Sequence, residues 1–148
     1  MKVDVRRYRT SDEAAVASLL GRVLPDDKPQ NEPIHVLKEK SRHDGDMLVA
    51  LIGDPHAKKI SGFIMYGYDG HRGWIYQLAV DPQSRRLGLG KSLVKAALLR
   101  LQSLGCEKVN LQVRAGNTDV VEFYRSAGFR TEERISMGLL IIESAKQI

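Results

Sequence analysis

Leu78-Ala79-Val80-Asp81-Pro82-Gln83-Ser84-Arg85-Arg86-Leu87-Gly88-Leu89-Gly90-Lys91 joins an apolar run to the start of the most regular amphipathic segment in the chain. From Gly90 to Leu104, the residues Leu93, Val94, Ala97, Leu98, Leu101 and Leu104 keep helical spacing. Lys91, Lys95, Arg100 and Gln102 occupy other faces, and Gly105 suits the position after a last helical turn. Upstream, Trp74 to Val80 reads as a strand. A strand, a glycine-bearing loop and a helix N-terminus in that order make an anion site. Glycines let backbone N–H groups approach a phosphate closely, and the helix dipole places about half a positive charge at the same end. Arg85, Arg86 and Lys91 add charge-assisted bonds, which suits a polyphosphate better than a single carboxylate.

Spacing separates the phosphate motifs that compete for this loop. Gly90-Lys91-Ser92 imitates the end of a Walker A motif, but that motif needs glycine where Arg85 stands. A dinucleotide fingerprint on Gly88 and Gly90 needs glycine or alanine where Leu93 stands, and it belongs on the first strand of a βαβ unit. Both readings fail. A turn that merely leads into a helix remains open at this level.

Working outward, Val3 to Tyr8 reads as a first strand. Thr10-Ser11-Asp12-Glu13 has capping-box spacing before a helix whose buried face is Val16, Leu19, Leu20 and Val23, and Pro25 ends it. Pro25 to Pro33 holds three prolines and reads as a loop, followed by a short helix from Ile34 to about His43. Asp46 to Ile52 and Ile60 to Tyr68 form a hairpin about Gly53-Asp54-Pro55. The turn Asp69 to Gly73 then leads into the strand Trp74 to Val80, giving an antiparallel meander. Lys108 to Val113 reads as a further strand, and Asn117 caps a helix running to Gly128. Strands are expected at Phe129 to Glu133 and Ile135 to Ile142. Hairpins mixed with crossovers predict a single α/β domain over 1–148, with a mixed sheet flanked by helices.

At 148 residues, with 43% hydrophobic and 28% charged residues, the composition fits one soluble domain. No stretch approaches the run of about 18 apolar residues that spans a membrane. The alternating charges of Met1 to Arg6 carry no secretory signal, so the expected location is the cytoplasm. The lone Cys106 forms no internal disulfide. A formal charge of +5 suits an anionic partner. Basic residues come in scattered pairs and aromatic residues are few, so a nucleic-acid partner is a weaker reading than a phosphorylated small molecule. His35, His43, His56 and His71 show no paired metal-ligand spacing, and no metal is expected.

Arg85-x-x-Gly88-x-Gly90 resembles the [Q/R]-x-x-G-x-[G/A] signature of the GNAT acetyltransferases. Asn117-x-x-Val120-x-x-Phe123-Tyr124-x-x-x-Gly128-Phe129 is similar to that family's second signature, with Val120 at the usual alanine. Leu78-Ala79-Val80-Asp81-Pro82 matches the end of its fourth strand. The turn Gly67 to Gly73 and the ending Ser136-Met137-Gly138-Leu139 resemble the YpeA-like bacterial branch. The resemblance implies a GNAT fold: a largely antiparallel seven-stranded sheet with splayed fourth and fifth strands and about four helices.

It also implies an acetyl-CoA-dependent N-acetyltransferase acting directly on a primary amine of a small molecule, protein or peptide, as monomer or homodimer. Arg85, Arg86, Leu87, Gly88, Leu89, Gly90 and Lys91 would hold the pyrophosphate of acetyl-CoA. Leu78, Ala79 and Val80 would line the pantetheine arm, with the Leu78 N–H polarising the thioester carbonyl. Tyr124 matches the family's general acid and would also contact the cofactor, and Asn117 would fix the loop after the fifth strand and touch the cofactor, or cap its helix. Gln112 stands where related enzymes carry a basic glutamate, which leaves Gln112, Asp69 and His71 as candidates for handling the acceptor. Cys106 is a poor acetyl carrier, since it follows Gly105 and lies far in sequence from these residues. The competing functions are a non-catalytic acyl-CoA-binding module and a basic nucleic-acid-binding domain.

Overall fold

Met47-Leu48-Val49-Ala50-Leu51-Ile52 is buried along its whole length, as a run of apolar residues must be when helices cover both faces of its sheet. It is the second strand of a five-stranded sheet in the computed structural model, which describes residues 2–144. The strands are β1 (Val3–Arg7), β2 (Met47–Ile52), β3 (Lys59–Tyr68), β4 (Gly73–Val80) and β5 (Val109–Leu111), lying in chain order. The first three ladders are antiparallel and the last is parallel. Four helices accompany them: α1 (Glu13–Val23), α2 (Pro33–His43), α3 (Leu89–Ser103) and α4 (Thr118–Ser126). A single turn, α5 (Ile141–Ser144), follows. The chain divides into two units, Met1–Gln112 and Val113–Ile148. No helix among the described residues is long and apolar enough to cross a membrane.

In the first unit, α1 and α2 cover one face of the sheet. Val16, Leu19, Leu20 and Leu37 pack on Met47, Val49, Leu51, Phe63, Met65 and Ala79. Burying each of the larger aliphatic side chains contributes about 1.5–3 kcal/mol. α3 covers the other face through Leu93, Val94, Ala97 and Leu101. It approaches so closely that a Cβ on Gly62 would stand 2.9 Å from Leu93 Cδ1.

The start of α1 differs from the capping expectation. Thr10 does not cap α1, because Thr10–Asp12 forms a 3-10 turn and Asp12 instead accepts from the Arg9 N–H at 2.8 Å. Arg6 also donates to Asp12, at 2.8 and 3.0 Å. A carboxylate that takes an N–H and a guanidinium together outbids a hydroxyl for that place. Glu32 caps α2, accepting from Ile34 N–H at 3.0 Å and His35 N–H at 2.8 Å.

β3 and β4 pair with a register shift. Met65 faces Gln77 and Tyr66 faces Ile75, which leaves Tyr76 as the extra residue of a bulge. β5 pairs with β4 only through Gly73, Trp74 and Ile75. From Tyr76 to Val80, β4 has no ladder on its β5 side among the described residues.

The second unit holds α4, capped by Asn117 Oδ1, which accepts from Val120 N–H at 3.4 Å. The expected strands at Phe129 to Glu133 and Ile135 to Ile142 do not form, so the sheet has five strands among the described residues rather than seven. Residues 129–140 have no regular structure and Ile141 enters a helical turn. The alternating apolar pattern there promised a half-buried strand, but a strand is stabilised by cross-strand partners rather than by its own propensity. Ile135 and Met137 are each 90% exposed, and no strand among the described residues pairs with them.

Candidate active site

The site grows from the end of β4. After Val80 the chain turns at Asp81, whose side chain accepts from Gln83 N–H at 3.0 Å and opens a 3-10 turn, Pro82–Ser84. Asp81 N–H donates to Ser61 O at 2.8 Å, and its carboxylate faces Arg22 of α1 at 3.6 Å and Lys59 of β3 at 3.9 Å. The bond from Gln83 outweighs the cost of burial and, with those two cations, holds the Asp81 carboxyl below the usual carboxylate range. The carboxylate is only 3% exposed and ties β3, α1 and the following loop to one point.

The loop itself has two left-handed residues, Arg86 at φ 69° and Gly88 at φ 78°. Gly88 is the residue before α3, and no side chain caps that helix. None of the main-chain N–H groups of Arg85 to Lys91 donates to an acceptor among the described residues. Left-handed Gly88 leading into the right-handed first turn of α3 turns successive N–H groups inward, and such a concavity takes an anion. Leu89 is buried and pins the first turn of α3, while Arg85, Arg86, Leu87, Gly88 and Lys91 are exposed and Gly90 is half-buried. Seven unpaired amides, two arginines and a lysine match a diphosphate chemically.

Upstream, Leu78, Ala79 and Val80 pair with Ile64, Phe63 and Gly62 of β3 and leave the opposite edge of β4 without a strand. Where β4 and β5 part, Trp74, Ile75, Tyr76 and Gln112 line a cleft of about 300 Å³. Tyr76 is 56% exposed and has Lys40 Nζ of α2 over its ring at 5.3 Å. Burial first, and then the charges of Asp44 and Asp69, push the Tyr76 phenol upward. Lys40 is itself paired with Asp44 at 2.9 Å.

The remaining predicted residues fall as follows. Asp69 Oδ1 accepts from His71 N–H and Arg72 N–H, both at 2.7 Å, so this carboxylate shapes the β3–β4 turn. Those two bonds, with Arg72's the stronger, hold its pKa down. His71 is exposed on the same turn. The turn and the anion loop stand at opposite ends of β4, roughly 25 Å apart at strand rise. Cys106 Sγ donates to Lys108 O at 3.3 Å and sits against Gly73. Among the described residues no cluster of His, Cys, Asp or Glu is arranged to hold a metal ion.

Within the second unit, Tyr124 is 7% exposed, with Phe123 and Phe129 edge-on to its ring at 5.1 and 5.4 Å. Burial pushes its phenol up to about 12. Sequence reasoning missed Trp74, Tyr76 and Lys40. The bulge that puts Tyr76 and Gln77 on one face breaks the two-residue period of β4, and only the polar pair Tyr76-Gln77 inside an apolar strand hinted at it.

The acetyltransferase (GNAT) family matches residues 14–129. An acetyltransferase of Pectobacterium atrosepticum is 35% identical over 144 residues, covering 95% of this chain and 97% of that protein. One from Sodalis glossinidius is 34% identical over 145 residues, with the same shares of the two chains. In fold, the chain resembles the NatC complex bound to Gag peptide and CoA, with a TM-score of 0.79 and 21% identity over 91% of this chain and 89% of that one. It also resembles Ard1 from Thermoplasma volcanium, with a TM-score of 0.73 and 25% identity over 86% of this chain and 82% of that one. Family match, full-length relatives and fold agree with the loop chemistry, and the chain belongs to the GNAT acetyltransferases as an N-acetyltransferase.

Proposed function

We propose that the enzyme transfers an acetyl group directly from acetyl-CoA, its cosubstrate, to a primary amine of a small molecule, protein or peptide. The observation that carries this reading is the row of unpaired amides from Arg85 to Lys91, presented by the Gly88 turn and α3. These amides, with Arg85, Arg86 and Lys91, bind the diphosphate. The edge of β4 from Leu78 to Val80 offers main-chain groups to the pantetheine, and the Leu78 N–H polarises the thioester carbonyl. Trp74, Tyr76 and Gln112 frame the acceptor. Asn117 holds the start of α4, and with it the helix that carries Tyr124.

Tyr124 is the general acid of this scheme. A phenol raised to about 12 keeps its proton at every working pH. A thiol near the ordinary value of about 8.5 is the stronger acid, so complete transfer to the thiolate is uphill by roughly 5 kcal/mol. The phenol therefore acts first as a hydrogen-bond donor to the sulfur as its charge develops. Gln112 cannot accept a proton near neutral pH, and Asp69 is committed to its turn, so the amine loses its proton to solvent.

The test is calorimetry with CoA, followed by thiol release from acetyl-CoA with peptides, polyamines, amino acids and aminoglycosides. Uptake of CoA with amine-dependent release supports the reading. Absence of uptake by folded protein overturns it.

A further inference from the structure

Gln77 is the one residue of β4 whose polar atom has nowhere to go. Its Oε1 is buried and has no hydrogen-bond partner among the described residues. A methionine of the same length would fill the space without leaving an acceptor orphaned, so the amide is a cost to folding unless something else uses it. Exchanging the amide's oxygen and nitrogen only trades an unpaired acceptor for an unpaired donor.

Position says what uses it. Gln77 pairs with Met65, so its side chain leaves the sheet on the face covered by α1 and α2. The bulge sets Tyr76 on that face too, beside Lys40 of α2, so Tyr76 and Gln77 stand side by side. Tyr76 is a wall of the acceptor cleft, and Leu78 follows Gln77 directly.

We propose that Gln77 binds the acceptor, its Oε1 accepting an N–H of the incoming amine; the assignment rests on the acetyl-transfer reading above. An amine nucleophile has one lone pair, which must face the carbonyl carbon, while its N–H groups need acceptors. An amide oxygen takes such a hydrogen bond without taking the proton. The new C–N bond forms as the C–S bond breaks. The nitrogen's proton passes to solvent, and the sulfur gains one from Tyr124, which solvent restores.

The test compares Gln77→Met and Gln77→Glu with the wild-type chain. Melting temperature and CoA affinity are measured first. Thiol release from acetyl-CoA is then followed with water alone and with spermidine, kanamycin and a peptide bearing a free N-terminal serine. Gln77→Met is expected to melt at or above the wild-type temperature and to bind CoA equally well. It should lose on the order of tenfold in kcat/KM for the amine and in the hydrolytic rate with water. Gln77→Glu keeps an acceptor oxygen, so it should retain transfer and gain an acid limb in its pH profile. Transfer and hydrolysis by Gln77→Met within twofold of wild type would overturn the assignment, as would a Glu variant as impaired as Met. Failure of the wild type to bind CoA would instead defeat the acetyl-transfer reading itself.

Discussion

Replacing Gly88 by alanine isolates what the anion loop contributes. Gly88 sits at φ 78°, and nothing lies within 4 Å of where its Cβ would be, so the substitution meets no steric obstacle. The cost is conformational, about 1–2 kcal/mol for an L-residue held in the left-handed region. In a chain of this length that lowers the melting temperature by roughly 3–6 °C. If the backbone escapes the strain by rotating, the N–H groups at the start of α3 turn out of the concavity. Each lost bond to a charged phosphate costs about 1.5–3 kcal/mol, so CoA affinity falls about ten- to a hundredfold or slightly more. Gly88→Asn is the control, because asparagine tolerates this region better than alanine. Calorimetric titration with CoA and thermal scans of all three proteins give the answer. Gly88→Ala binding CoA as the wild type does, or Gly88→Asn falling as far as alanine, would show that loop geometry does not hold the phosphates.

Three further outcomes are expected. Tyr124→Phe keeps the ring contacts with Phe123 and Phe129 but removes the donor, so kcat falls about a hundredfold while CoA affinity holds. Because burial raises that phenol to about 12, the wild-type rate should show no alkaline limb from it below pH 10. Burial alone would raise the Asp12 carboxyl, but the bonds from Arg6 and Arg9 N–H outweigh it and depress its pKa. Its contribution is present above the unfolded value near pH 4 and is lost as pH falls through the folded value. Arg6→Met should cost about 1–3 kcal/mol at pH 7 and flatten the acid slope of a melting-temperature series. An unchanged slope refutes the pairing. A Cβ on Gly73 would stand 2.7 Å from Cys106 Sγ and 3.1 Å from Val109 Cγ2, so Gly73→Ala should destabilise by about 1–3 kcal/mol. Adding Cys106→Ala should recover part of that loss in a double-mutant cycle, whereas strictly additive effects count against the contact.

The sequence made α3 and the three-strand meander legible because each signal is local. Leu93, Val94, Ala97 and Leu101 repeat at helical spacing and bury together, and the turns at Gly53 and Asp69 carry their own chemistry. The anion loop was legible for the same reason, since Arg85, Gly88 and Gly90 lie within one short stretch. What escaped depends on partners distant in the chain. Asp12 displaced Thr10 as the organiser of the first helix because Arg6 reaches it from β1. Ile135, Met137 and Leu139 alternate as strand residues do, yet no strand among the described residues pairs with them, so alternation alone did not make a strand. The cleft wall escaped because period-two counting places Tyr76 opposite Gln77, and the bulge puts them on one face.

That bulge connects the two halves of the proposed chemistry. With Trp74 and Ile75 in place, a regular β4 would keep Tyr76 on the α1 and α2 face and send Gln77 toward α3. The extra residue resets the phase, so that Leu78 and Val80 pair on the α3 side with Ile64 and Gly62 while Trp74, Tyr76 and Gln77 turn to α1 and α2. Bulges also raise the local twist and interrupt the neighbouring ladder. Here the pairing with β5 stops at Ile75, one residue before the bulge. The inserted residue and the start of the unpaired edge thus fall at the same point of the strand, with Tyr76 and Gln77 on one face. Five residues later, Asp81 fixes where that strand becomes the anion loop. Deleting Tyr76 would leave the Met65–Gln77 and Tyr66–Ile75 pairs in register and restore alternation without reversing any face, and what would be lost is the ring that stands beside Lys40. The bulge thus serves the proposed site by setting Tyr76 and Gln77 on one face.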